Sequence, residues 1–442
     1  MLNSFKTKLD ATEIFISFCF ITLLAKNSLN TIFIILFVGY SLFRFFFHRQ
    51  GNGTKNLLAN NAKLTGAFIV YFGICCFSLI YSEDVKEGLG YIKRYLAFLF
   101  IPIAFYLLPP KNMDKEQGVF VRKAFIYSLL VSLIVLFVLA VARNHDQGNS
   151  LLKYLHVSIS NIFVESETQE GITMDFWAFT YEGLTQPLDI QPIYLALFTN
   201  LALIFLISLK SAKRIKRFQF AINLILLVVF NVILSSRSES AICILILLIY
   251  FIQRASNKQK LIQSILGGVF LLSLVITIVW KNPILKYRVM SVVNPEYRHE
   301  HLNFANQNIR FLKWKYALQL ASRAPVVGFG IGDAKNELIK EYETNTFNAG
   351  VLNRFNSHNQ YLDTLLQSGL IGLIGLFAIF YFGYFGRSNV GKEVKLILAV
   401  FYLSFLTESM LDRHWGIVSF VLFTMYVSTF KIRAIEISNN RN

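Results

Sequence analysis

The sequence predicts an all-α integral membrane protein of about twelve transmembrane helices, with a long, partly helical outer loop between the ninth and tenth. Three observations lead there. The 442 residues are 55% hydrophobic and 16% charged, whereas a soluble domain carries roughly 25% charged residues. Phe alone supplies 43 of them, more than an aqueous core of this size would bury. Apolar runs of roughly 17 to 22 residues, the length that crosses a bilayer, recur along the whole chain. A soluble enzyme, a nucleic-acid-binding module and a disordered scaffold are thereby excluded. The formal net charge of +17 reads as an excess in cytoplasmic loops, with no nucleic acid as partner.

The spans run roughly over 11–25, 28–47, 64–81, 91–108, 122–142, 190–209, 216–235, 238–253, 262–280, 361–386, 394–411 and 414–430. The eighth is short, as a tilted or partly re-entrant segment would be. Tight turns around Arg237 and Asp412-Arg413 make helical hairpins of the spans they join. With the N-terminus inside, 24 of the 43 basic residues fall in the short loops and termini of one side. Loop 143–189, on the other side, holds two basic and seven acidic residues. This alternation predicts one polytopic membrane domain over 1–442 with both termini cytoplasmic. Its long outer loops are 143–189 and 281–360. Cys19, Cys75, Cys76 and Cys243 all lie in apolar runs, so there is no disulfide framework to read. The first apolar run lacks a small-x-small site, so no cleavable signal peptide is expected.

Residues 281–360 carry eleven Lys or Arg against six Asp or Glu, on the side where basic residues are normally scarce. Long loops escape the rule, but an outward-facing anion site would also produce this excess. Within the loop, Asn308–Ser322 reads as an amphipathic helix with Ile309, Leu312, Tyr316 and Leu320 on one face, ended by Pro325. Arg310 and Trp314 are four apart and lie one above the other beside that face. Gly328, Gly330 and Gly332 precede a short helix that Asp333 is placed to cap. With no Lys-Ser/Thr after them, these glycines read as a tight turn, not a nucleotide loop. His299-Glu300-His301 lacks HExxH spacing and a third ligand, so a solvated loop is expected there and no metal. His358-Asn359 leads directly into the tenth span. Arg237, in the turn Ser235-Ser236-Arg237-Ser238-Glu239-Ser240, is a charge at membrane depth and hence a functional candidate. Arg413 is expected to pair with Glu408 or Asp412 as a structural contact.

Taken in order, Arg310-xxx-Trp314, Pro325-Val-Val-Gly328-Phe-Gly330-Ile-Gly332, His358-Asn359-Gln-Tyr361-Leu and Gly369-Leu-Ile-Gly372 form a set. In a long outer loop, that set resembles the O-antigen ligase / O-antigen polymerase superfamily of bacterial lipid-linked glycan transferases. The turn around Arg237 is similar to the family's short outer turn with an essential arginine. The resemblance implies a GT-C-like glycosyltransferase in the bacterial inner membrane, working at the periplasmic face. Its donor is an undecaprenyl-diphosphate-linked glycan. Its acceptor is lipid A-core for a ligase or a growing glycan for a polymerase, and no ATP, metal or other cofactor is required. Because the twelfth span lies close to the end of the chain, the longer protein-glycosylating type is not expected.

The residues suit this chemistry. Arg237 and Arg310 offer fixed forks of donors for the diphosphate. His358 is a candidate general base for the acceptor hydroxyl. Trp314 and Asn359 join the arginines as candidate contacts to diphosphate and glycan. Two further classes compete, a transporter of the same lipid-linked glycan and a non-catalytic scaffold. A transporter tends to be built from repeated halves, and no repeat is evident. A scaffold would leave Arg237, Arg310 and His358 free to vary.

Overall fold

The structure is a computed structural model that describes residues 10–47, 55–108, 117–146, 179–254, 258–281, 286, 308–386 and 391–430. Among these, all regular structure is helical. The helices are α1 (Ala11–Thr22), α2 (Asn27–Phe47), α3 (Lys55–Ile80), α4 (Val85–Leu107), α5 (Gln117–Asp146), α6 (Tyr181–Thr185), α7 (Pro192–Ser211) and α8 (Arg217–Ile233). They continue with α9 (Arg237–Arg254), α10 (Lys258–Lys281), α11 (Asn308–Ala321), α12 (Ala334–Thr344), α13 (Asn348–Leu352), α14 (Gln360–Phe385), α15 (Lys392–Thr407) and α16 (His414–Thr429).

A helix occupies each apolar stretch read from the sequence. Seven among the described residues are long and apolar enough to cross a membrane: α2, α4, α7, α14 and the apolar parts of α3, α5 and α10. Helices α1, α8 and α16 are apolar but shorter. At about 1.5 Å per residue the 12-residue α1 reaches only ~18 Å, well short of a hydrocarbon core of roughly 30 Å. Most of loop 143–189, and the segment with His299-Glu300-His301, lie outside the described residues.

The chain forms two compact units, Met1–Val121 with Gln307–Lys431, and Arg122–Asn306 with Ile432–Asn442. In the second, α7 is apolar on all sides and correspondingly enclosed, packing against α8 and α9. In the first, α14 packs on α3, α3 on α4, α4 on α16, and α11 on α14.

One irregularity in the first unit positions everything described below. Helix α14 is broken at Ser368 (φ −141°) and Gly369 (φ 61°, ψ −160°). A break in an apolar helix frees backbone groups that lipid cannot satisfy. The segment 325–330 satisfies them. Phe329 N donates to Leu366 O (2.8 Å), Gly330 N to Gln367 O (3.1 Å) and Leu370 N to Pro325 O (2.9 Å). Gly328 and Gly330 adopt φ of 72° and 95°, so the three-glycine segment is a turn docked into a helix break. The hydroxyl of Ser82, after α3, accepts from Gly332 N (3.1 Å), and Tyr81 donates to the Val327 carbonyl. Asp333 does not cap α12 as the sequence suggested. Its carboxylate accepts from Glu83 N (2.7 Å) and Asp84 N (2.8 Å). The backbone amides entering α4 need an acceptor, and Asp333 supplies it.

Candidate functional site

Helix α11 lays the predicted face on a small core. Tyr316 and Leu320 pack with Ala334, Leu338, Tyr342, Phe347 and Leu366, and Ile309 and Leu312 join at its margin. The helix ends at Ala321, four residues before the proline expected to end it. With that face buried, Arg310 projects as an exposed residue, while Trp314 is half-buried. The Trp314 indole N–H is buried and has no acceptor among the described residues. One turn beyond Arg310, Lys313 is 4% exposed, with Nζ 3.4 Å from the centroid of the Phe355 ring.

The turn before α14 is the most constrained part of the site. His358 adopts φ 50°, a left-handed conformation uncommon for a residue with a side chain and often found at functional sites. Neighbouring side chains hold it there. Asn356 Oδ1 accepts from His358 N (3.2 Å), and Ser357 Oγ donates to Asp363 Oδ1 (2.5 Å). Asn359 caps α14, accepting from Tyr361 N (3.0 Å) and Leu362 N (3.2 Å), and donates to Leu406 O (3.1 Å). Every hydrogen-bonding group of the Asn359 amide named here serves the fold.

His358 Nδ1 lies 2.9 Å from Glu408 Oε1, just beyond the end of α15. The ring nitrogen faces the carboxylate closely but is not aligned for a hydrogen bond. Burial pushes the Glu408 carboxyl up, but the facing imidazole and the Arg310 charge outweigh it and hold the group below its ordinary value. Asp412 faces Arg94 of α4, whose guanidinium donates to the Asp412 carbonyl (2.6 Å) and stacks on Tyr91 (4.2 Å). Thus the partners of Glu408 and Asp412 are His358 and Arg94, not Arg413 as expected from adjacency. The turn between α15 and α16 contains a short 3-10 segment, Met410–Asp412.

Arg310, Trp314, His358 and Asn359 therefore belong to the first unit, joined by Lys313 and Glu408, which the motif reading did not assign. Arg237 belongs to the second. It begins α9 and is exposed, in a turn where Ser235 has φ 56°. Beside it Glu239 is buried, accepting from Asn200 Nδ2 (2.8 Å), while Asn231 donates to Thr199 Oγ1 (2.8 Å). The turn is thus fixed by a buried polar network on α7 and α8.

Residues 222–377 match a family model described as O-antigen ligase. The match, over about a third of the chain, supports the O-antigen ligase/polymerase superfamily. A search of curated proteins finds no match. The superfamily segment runs from α8 into α14 and contains Arg237, Arg310, Lys313, Trp314, His358 and Asn359. Arg94, Glu408 and Asp412 lie outside it, so the partner of the site histidine comes from a part of the chain that the family model does not match. The superfamily's activity is of the O-antigen ligase or polymerase type. Seven helices of membrane-crossing length and composition among the described residues make the chain a multi-pass membrane protein.

Proposed function

We propose that this chain is an O-antigen ligase-type glycosyltransferase of GT-C character that moves a glycan from undecaprenyl diphosphate to a hydroxyl of lipid A-core. The observation that carries the reading is His358 paired with Glu408 on the unit that presents Arg310. With Nδ1 against a carboxylate, the remaining ring nitrogen, Nε2, is the one to act on the acceptor. The acceptor oxygen forms its bond to the anomeric carbon as its proton passes to Nε2. The bond from that carbon to the phosphate oxygen breaks, and its electron pair leaves with the diphosphate. Arg310 meets the charge that builds there, and Glu408 stabilises the imidazolium. Arg237 is proposed as a second donor-binding cation, on the likeness of its turn to the family's arginine turn.

A deletion strain tests the acceptor. Loss of a ligase leaves glycan of normal length on the carrier and lipid A-core uncapped. Core bearing a single repeat unit would instead make the chain a polymerase and leave the superfamily unchanged. Orientation is tested separately. Cysteine tags in 143–189 and 281–360 are expected to react from the periplasm and tags at both termini are not; a periplasmic C-terminus overturns the twelve-span topology.

Arg310→Ala and Arg237→Ala should each weaken donor binding together with turnover, because the donor carries its phosphates before reaction. A hydrogen bond to a charged group is worth about 1.5–3 kcal/mol, so each loss is roughly 10- to 150-fold. Lys at either position should restore only part, since a point charge lacks the bidentate fork. Equilibrium binding of undecaprenyl diphosphate by the purified variants checks this, and unchanged affinity in both removes the arginines from the donor site.

A further inference from the structure

The chemistry just described makes no use of Lys313, the most enclosed charge of the site. It lies three residues from Arg310 and so on the same side of α11. It is 4% exposed, and a fully buried lysine is rare unless paired. Among the described residues its ammonium lies over the face of Phe355, 3.4 Å from the ring centroid, and has no hydrogen-bond or ion-pair partner. The charged and titratable groups around it are Arg310 on its own helix, Asp363 on α14, Glu408 beyond α15, His358 on the turn before α14 and Tyr342 on α12. Both carboxylates are already engaged, Glu408 by His358 and Asp363 by Ser357. A cation is therefore held beside another cation with no anion of its own.

We propose that Lys313 is a second diphosphate-contacting cation on α11, and that it takes up a proton from solvent when the donor's diphosphate binds. The inference rests on the reading of Arg310 as a donor contact. An anion brought next to a buried amine favours its charged form, just as burial disfavours it. In the unliganded protein burial pulls the ammonium down to about 7, against Glu408 and Asp363 and with the help of Arg310. Above that pH the free site is largely neutral at Lys313, and the donor completes the charge it binds to. An ammonium on an aromatic face needs no other anchor, so Phe355 keeps it in place in the charged form.

Calorimetric titration of the purified full-length protein in nanodiscs with undecaprenyl diphosphate, in two buffers of different ionisation enthalpy near pH 8, measures both affinity and proton uptake. The wild type is expected to take up most of one proton. Lys313→Met should bind about tenfold or more weakly and take up none. Lys313→Arg, always charged, should keep affinity within a few fold and also take up none, which separates charge from misfolding. Arg310→Ala should bind weakly yet still take up the proton. Wild-type affinity and uptake in Lys313→Met overturn the inference while Arg310 dependence preserves the donor site. Uptake that disappears in His358→Gln but persists in Lys313→Met assigns the proton to the imidazole and also overturns it. Binding indifferent to Arg310 instead removes the donor-site reading beneath it.

Discussion

Substituting His358 by Ala is expected to lower turnover by about 10²–10⁴-fold, the usual contribution of a positioned base, while donor affinity stays within about twofold. A base acts on the acceptor hydroxyl in the transition state and makes no contact that the bound donor needs. His358→Gln should not rescue, because an amide keeps hydrogen bonding but cannot take the proton. Glu408→Gln separates the two partners of the pair. It removes the charge facing Nδ1 without changing shape, and an imidazolium that forms without that opposite charge should lower turnover by roughly tenfold or more. Because Glu408 is held below the ordinary carboxylate range, its charge is present at neutral pH. That carboxylate charge is lost as pH falls through the depressed value. Reconstituted transfer from purified lipid-linked glycan decides the matter. Near-wild-type turnover of His358→Ala between about pH 6 and 8 would return His358 to the role of a residue that starts a helix.

The all-helical fold was legible because lipid and protein impose the same demand on every apolar run: its backbone must bond within itself. The amphipathic face of α11 was legible because Ile309, Leu312, Tyr316 and Leu320 recur at helical spacing. Residue pairing across the chain was not. Glu408 stands five residues from Arg413 and fifty from His358, so adjacency suggests one partner and the fold supplies the other. Its one sequence signal was an acid near the end of an apolar span, where charge is costly and marks function. Lys313 carried less, since a lysine on an amphipathic helix normally points to water, and only Phe355 and the carboxylates across from it show otherwise. Asp333 failed for a similar reason: it sits where a cap belongs, yet the unsatisfied amides at Glu83 and Asp84 compete for it from 250 and 249 residues away.

Gly369→Ala is expected to reduce stability and donor affinity together, because the helix break holds α11 against α14. At φ 61°, ψ −160° the backbone is in a region essentially reserved for glycine, with a strain of about 1–3 kcal/mol for other residues. An added Cβ would also lie 2.2 Å from the Val326 carbonyl carbon and oxygen, so backbone and not a flexible side chain would have to move. Gly328→Ala meets the other side of the same contact, with the Leu366 carbonyl at 2.6 Å and φ of 72°. Each substitution expels 325–330 from the break and leaves the amides and carbonyls around Ser368 unsatisfied in an apolar helix. Gly73→Ala, whose Cβ would meet nothing within 4 Å, serves as the control and should be neutral or slightly stabilising in its helix. Thermal unfolding of the purified protein, followed beside diphosphate binding at a temperature where each variant stays folded, gives both readouts. Arg310 and Lys313 reach the site through a helix whose exit is anchored at Gly328 and Gly369. A Gly369→Ala protein that melts with the wild type and binds the diphosphate equally well would mean that α11 is held by its hydrophobic face alone, with the glycine turn contributing nothing to where its cations stand.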